Sequence, residues 1–164
     1  MKKNLYLLAM IFIIVFSSTG CSGDTKTTSV RKLYDYKSSD ITRIEFVDTA
    51  IRLQKQPLVV NSKKKISEFL GYLDKLKLEA ASEKDTKIGW TYQAILFNND
   101  KEIVSITFGN PLVLRTYNDK TQEYSFQNYF PVKNEITPKQ IDNFLASVNS
   151  AWVRTKGDPN LGLP

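Results

Sequence analysis

The 164-residue sequence contains no histidine. A Ser-His-Asp or Cys-His catalytic arrangement, an imidazole metal ligand and a histidine pH switch are therefore all excluded. It contains one cysteine, Cys21, so no internal disulfide can staple the fold. It also lacks an apolar run long enough to cross a bilayer. The longest, Leu5 to Phe16, has twelve residues; as a helix it would reach about 18 Å, against about 30 Å of hydrocarbon.

What is present at the start is organised around that run. Lys2 and Lys3 precede it, and Ser17-Ser18-Thr19-Gly20 separates it from Cys21. A short positive start, an apolar stretch and small residues before a cleavage point form the layout of a secretory signal. Small residues directly before a lone cysteine resemble the lipobox of bacterial lipoproteins, although Ser18 stands where that family usually has leucine. The resemblance covers residues 1–21 and looks like the small lipoproteins of Gram-positive bacteria. It implies removal of residues 1–20, a diacylglycerol on the Cys21 thiol and residence on the extracytoplasmic face of the cell membrane. Two acyl chains give the stable anchoring that one chain does not. Plain secretion and an uncleaved anchor are the alternatives.

Cleavage before Cys21 would remove two lysines and leave 21 basic against 17 acidic side chains, a net charge of +4. That balance gives weak attraction to anionic lipid or wall polymer and no nucleic-acid footprint. Hydrophobic residues at 41% and aromatics at 12% suffice for one core, and the length supports one domain.

The expected organisation has four parts: the signal over residues 1–20, a lipidated cysteine and flexible tether over 21–40, one α+β domain over 41–154, and a disordered tail over 155–164. Ile41 to Val47 alternates as a half-buried strand, and Ala50 to Gln54 alternates again, with Leu58-Val59-Val60 extended after Pro57. Ile66, Phe69, Leu70, Leu73 and Leu76 recur at helical spacing, and Ala80 to Asp85 reads as the following loop. Trp90 to Phe97, Ile103 to Phe108, Leu112 to Tyr117 and Gln122 to Gln127 form a meander, with turns at Asn98–Lys101, Gly109–Pro111 and Asn118–Thr121. Tyr124 and Phe126 share a face, and Tyr129 to Val132 is extended but interrupted by Pro131. Thr137-Pro138-Lys139-Gln140 combines a capping threonine, proline at the first helical position and glutamine three residues after the cap. The stripe Ile141, Phe144, Leu145, Val148 and Trp152 completes that helix. The order ββαββββα implies an antiparallel sheet of about five to six strands with two helices on one face.

Two constellations are candidate sites. Lys63, Lys64 and Lys65 occupy the opening turn of the first helix, where cations oppose the helix dipole, so they would suit phosphate, a lipid headgroup or a wall polymer. A solvated lysine run is the simpler reading. Trp90 and Tyr92 could form a platform for sugar or peptide, although alternate aromatics on a strand usually fill a core. Glu79, Glu83 and Asp85 sit close in sequence, but nothing fixes their separation as a glycosidase acid pair requires. No catalytic, metal or cofactor set emerges. The expectation is a membrane-anchored, noncatalytic binding module for a protein or cell-envelope ligand. A carboxylate-dependent envelope hydrolase and an inhibitor or immunity-type lipoprotein are the alternatives.

Overall fold

The computed structural model describes residues 27–49, 56–81 and 92–151. In chain order they form α1 (Val30–Tyr34), β1 (Arg43–Asp48), β2 (Leu58–Val60), α2 (Lys63–Lys75), β3 (Lys77–Ala80), β4 (Tyr92–Asn98), β5 (Lys101–Phe108), β6 (Leu112–Asn118), β7 (Glu123–Lys133) and α3 (Pro138–Val148). One seven-stranded sheet runs in the order β2-β1-β4-β5-β6-β7-β3, and every pairing is antiparallel. The class is α+β. The signal, Cys21, the strand expected over Ala50–Gln54, Trp90 and the tail after Thr155 lie outside the described residues.

Local chemistry accounts for the meander from β4 to β7. Asn99 adopts φ 52° in the turn between β4 and β5, a conformation that asparagine tolerates better than most residues. At the next hairpin, Asn118 Oδ1 accepts from the backbone N–H of Lys120 at 3.0 Å, and Gln122 takes φ 57°. The capping box of α3 forms as its sequence predicts. Thr137 Oγ1 accepts from the Gln140 N–H at 3.3 Å, and Gln140 Oε1 accepts from the Thr137 N–H at 2.8 Å.

The sheet is larger than the five to six strands expected, and among the described residues there are three α-helices rather than two. The added strand is β3, placed where the end of a helical stripe and the start of a loop were expected. Leu76 and Leu78 are both fully buried, but the helix stops at Lys75, so Leu76 caps it and Leu78 already belongs to a strand. The two extended segments around Asn128 are one strand of eleven residues that runs through Pro131. Proline is tolerated there because β6 begins at Leu112, opposite Tyr129, so no β6 carbonyl requires an N–H from residue 131.

The tether expected over residues 21–40 also ends earlier. Thr28 bridges Leu78 through two backbone hydrogen bonds, 2.8 and 2.9 Å, and Val30 and Tyr36 are buried in the main core. Arg31 fastens α1 to α2 through its ion pair with Asp74, the Nε–Oδ1 contact being 2.8 Å. The core lies between the sheet and the helices. Phe46 of β1 meets Phe69 of α2 edge-on at 4.9 Å and Phe144 of α3 at 5.6 Å, so both helices share the Phe46 side of the sheet. We call this side the inner face.

Tyr36 generates the first prediction. Its hydroxyl is buried without a hydrogen-bond partner. Burial, then the Asp74 carboxylate, push its pKa from 10.0 up to about 12, with Arg31 opposing. Because the folded chain keeps this proton where the unfolded chain has lost it, the contribution is complete below about pH 10 and is lost as pH rises toward about 12. Tyr34, Tyr72 and Tyr129 shift upward as well, each chiefly through burial. Tyr36→Phe removes an unsatisfied hydroxyl, so at neutral pH its stability should stay within about 1 kcal/mol of the parent. Denaturant unfolding between pH 9 and about 12 should show a shallower alkaline loss in the variant.

Candidate binding face

Antiparallel register carries one outer rung across six strands: Val59, Glu45, Ile95, Ser105, Arg115 and Phe126 lie opposite one another in turn. A second rung joins Val47, Gln93, Thr107, Val113 and Asn128. The centre of this face is closed. Gln93, Ser105, Thr107, Val47 and Val113 are all buried, and Gln93 Nε2 donates to Ser105 Oγ at 2.7 Å. Toward the β6–β7 hairpin the same face opens. Phe126 is 65% exposed, Tyr124 50% and Tyr117 37%.

These rings are held by their neighbours. Tyr117 and Tyr124 are a cross-strand pair with centroids 5.0 Å apart. The Arg115 guanidinium lies 4.6 Å from the Tyr124 ring, and its Nη2 donates to both carboxylate oxygens of Glu102 at 3.2 Å. On β1 and β4 the motif repeats: Arg43 lies 4.2 Å from the Phe97 ring and pairs with Glu45 at 2.9 Å. Lys101 and Asp119 form an ion pair near the turns. Between these groups runs a shallow groove of about 600 Å³, lined by Phe97, Asp100, Lys101, Glu102, Tyr117, Asp119 and Tyr124. Rings stacked against guanidinium groups, with the charges paired, form a surface suited to stacking and hydrogen bonding.

A smaller apolar pocket of about 230 Å³ lies at the start of α3, among Leu76, Phe108, Leu112, Pro131, Ile136 and Ile141, with Glu135 at its lining. Among the described residues there is no group of three or more Cys, Asp or Glu side chains arranged to hold a metal ion. No described helix is long and apolar enough to cross a membrane.

The residues singled out from the sequence fall elsewhere. Tyr92 is 2% exposed, and its hydroxyl donates to Asp142 Oδ1 at 2.7 Å. The parity of β4 sends Tyr92, Ala94 and Leu96 to the inner face, so Tyr92 is a core residue and offers no exposed platform. Trp90, Glu83 and Asp85 lie outside the described residues, while Glu79 sits half-buried on β3.

The lysine run divides. Lys63 and Lys64 are exposed, whereas Lys65 donates to Glu68 at 2.9 Å and to Ser147 at 2.8 Å, joining α2 to α3. The Lys65 hydrogen bond is also the main reason the Glu68 carboxyl is held below its ordinary pKa.

Arg115, Tyr117, Tyr124 and Phe126 were not among the expected site residues. A signal for them exists in the strand Glu123-Tyr124-Ser125-Phe126-Gln127, where rings alternate with wholly polar residues. A strand with no apolar residue on its second face has left the core. No family of known proteins, no curated protein and no solved structure matches the chain.

The divided lysine run yields the second prediction. Lys63→Glu places a complementary charge at the start of α2 and should hold or raise stability by a few tenths of a kcal/mol. In Lys64→Glu that gain is offset by repulsion from Glu68 one turn on, leaving stability near the parent's. Lys65→Glu should lower it by about 1 kcal/mol, since it sets like charges together and unties Ser147. Thermal unfolding of the three variants separates the effects.

Proposed function

We propose that the protein is a lipid-anchored, extracytoplasmic, noncatalytic binding module whose ligand is a protein, bound on the outer face of β6 and β7. The observation that carries this reading is the cluster of exposed Tyr117, Tyr124 and Phe126 around Arg115. Tyrosine and arginine dominate the energetics of protein interfaces, because each supplies contact area and directed hydrogen bonds together. The cluster stands on paired strands, so its rings are positioned before a partner arrives, which lowers the entropy cost of binding.

The test is crosslinking in cells followed by affinity capture and identification of what is captured. The expected result is one protein, recovered near one-to-one. Tyr117→Ala with Arg115→Ala should reduce its recovery about tenfold or more, as truncation of interface anchors does. Full recovery with that variant would remove this face as the site. Recovery of lipid or wall polymer alone, lost on neutralising Lys63 and Lys64, would move recognition to the start of α2.

Anchoring is tested separately. Cys21→Ala should shift the chain out of the detergent phase on phase partitioning, and unchanged partitioning would rule out lipidation at this residue.

A further inference from the structure

Among the described residues, the hairpin that carries the aromatic rings also carries an open sheet edge. β3 pairs with β7 from Tyr129 to Lys133, and the Ala81 N–H donates to Asn128 O at 2.9 Å. Among the described residues nothing pairs with Glu123–Gln127 on that side, and all five are exposed. The Ala81 bond shows which residues face the edge. Asn128 turns its backbone groups toward β3, so by the alternation of an antiparallel ladder Tyr124 and Phe126 also turn their N–H and C=O outward. Ser125 and Gln127 turn theirs toward β6. Unpaired edges of this kind are ready to take another strand, and proteins usually blunt them with lysine, proline or a bulge. In β7 the proline, Pro131, and the bulge, where Val132 is the extra residue opposite the Lys77–Leu78 step of β3, both lie beyond this segment.

We propose that the occupant of this edge is a second copy of the chain, paired antiparallel through Glu123–Gln127 about a twofold axis at Ser125. The segment is self-complementary in that register. Tyr124 faces Phe126 of the second copy, and the two residues are those whose N–H and C=O groups point outward, so each such pair exchanges both main-chain bonds. Their rings lie on one face as an aromatic cross-strand pair, a stabilising arrangement. Glu123 faces Gln127 of the second copy, so the one charge in the segment meets an amide and never itself. Ser125 meets Ser125 of the second copy at the axis, in the closely spaced type of pair. The interface is isologous and closes at two copies.

Edge-to-edge pairing leaves the outer face open. The rings of both copies then form one band, flanked on each side by Arg115 and Tyr117. The band's role in recognition rests on the proposed function; the pairing stands on the edge alone and needs no ligand.

The test uses the full-length chain in its membrane with no added partner. In the closely spaced pair the two Cα atoms at position 125 stand about 4.5 Å apart, within disulfide range. Ser125→Cys should therefore give a reducible dimer under mild oxidant for most of the chain. Glu123→Cys and the unsubstituted chain, with only Cys21, should not. Adding Tyr124→Lys with Phe126→Lys sets like charges across the axis and should abolish the Ser125→Cys dimer. Tyr124→Lys with Phe126→Glu sets opposite charges across it and should restore the dimer, with a yield that falls as salt rises.

Absence of the dimer in Ser125→Cys, or equal crosslinking at positions 123 and 125, overturns the proposal. So does failure of the charge-swapped variant to recover. Each result is read without the captured protein, so loss of the dimer leaves the binding reading standing, and loss of capture leaves the dimer standing.

Discussion

The contact of Phe46 with Phe69 and Phe144 holds the molecule together. Phe46 is fully buried near one edge of the sheet, and it is where both long helices reach β1. Phe69 and Phe144 also meet each other, at 5.3 Å, so strand and helices form a closed triangle of rings. Phe108 on β5 touches Phe69 at 6.2 Å and extends the contact across the sheet. Each ring buries a large apolar area, and tilted or edge-on pairs add to what burial alone supplies. The other packing follows from where this triangle sets the helices. α2 comes to lie where Arg31 can pair with Asp74, and α3 where Lys65 can reach Ser147.

Most of that layer was legible in the sequence. The helical stripes Ile66–Leu73 and Ile141–Leu145 keep their spacing, and the cap Thr137–Gln140 states where α3 begins. The turns at Asn99 and Asn118 mark two hairpins through side chains that tolerate or stabilise tight backbone. What could not be read came from contacts distant in sequence. Lys77–Ala80 is a strand because β7 offers it an edge, and its four residues hold too short an alternation to announce this. Val30 and Tyr36 stand in polar surroundings, and only the fold shows that Thr28 reaches Leu78 and draws both into the core. The charge run at Lys63–Lys65 looked uniform because a helix places neighbouring residues about 100° apart, and only the position of α3 shows which of them meets Ser147.

The candidate face was missed for a related reason. Period-two alternation tells that a strand has two faces, but it does not tell which one is wet. Tyr92 and Tyr124 look alike in sequence, each an aromatic in an alternating strand. Tyr92 falls on the parity of Ala94 and Leu96 and is buried, whereas Tyr124 falls on the parity opposite Ser125 and is half exposed. The distinguishing information was in the partners: apolar residues share the face of Tyr92, while the residues alternating with Tyr124 and Phe126 are polar without exception.

A sheet built this way has two kinds of strand end. β4 and β5 spend most of their length over the core, and Ser105 to Thr107 of β5 find partners on both sides. β6 and β7 run past it, so from Arg115 onward their rungs lose apolar support on the inner face and sheet neighbours along the edge. A ribbon with so few core contacts could be trimmed without cost to the triangle around Phe46, yet it carries the largest exposed rings among the described residues. Exposed aromatics bring a solubility hazard that a stability argument alone would remove. Arg115, drawn over Tyr124 and fixed by Glu102, shows the same local investment, since it orders a flexible side chain on a surface that the fold does not need. The proposed contacts outside the chain account for the hairpin better than anything it supports within the fold.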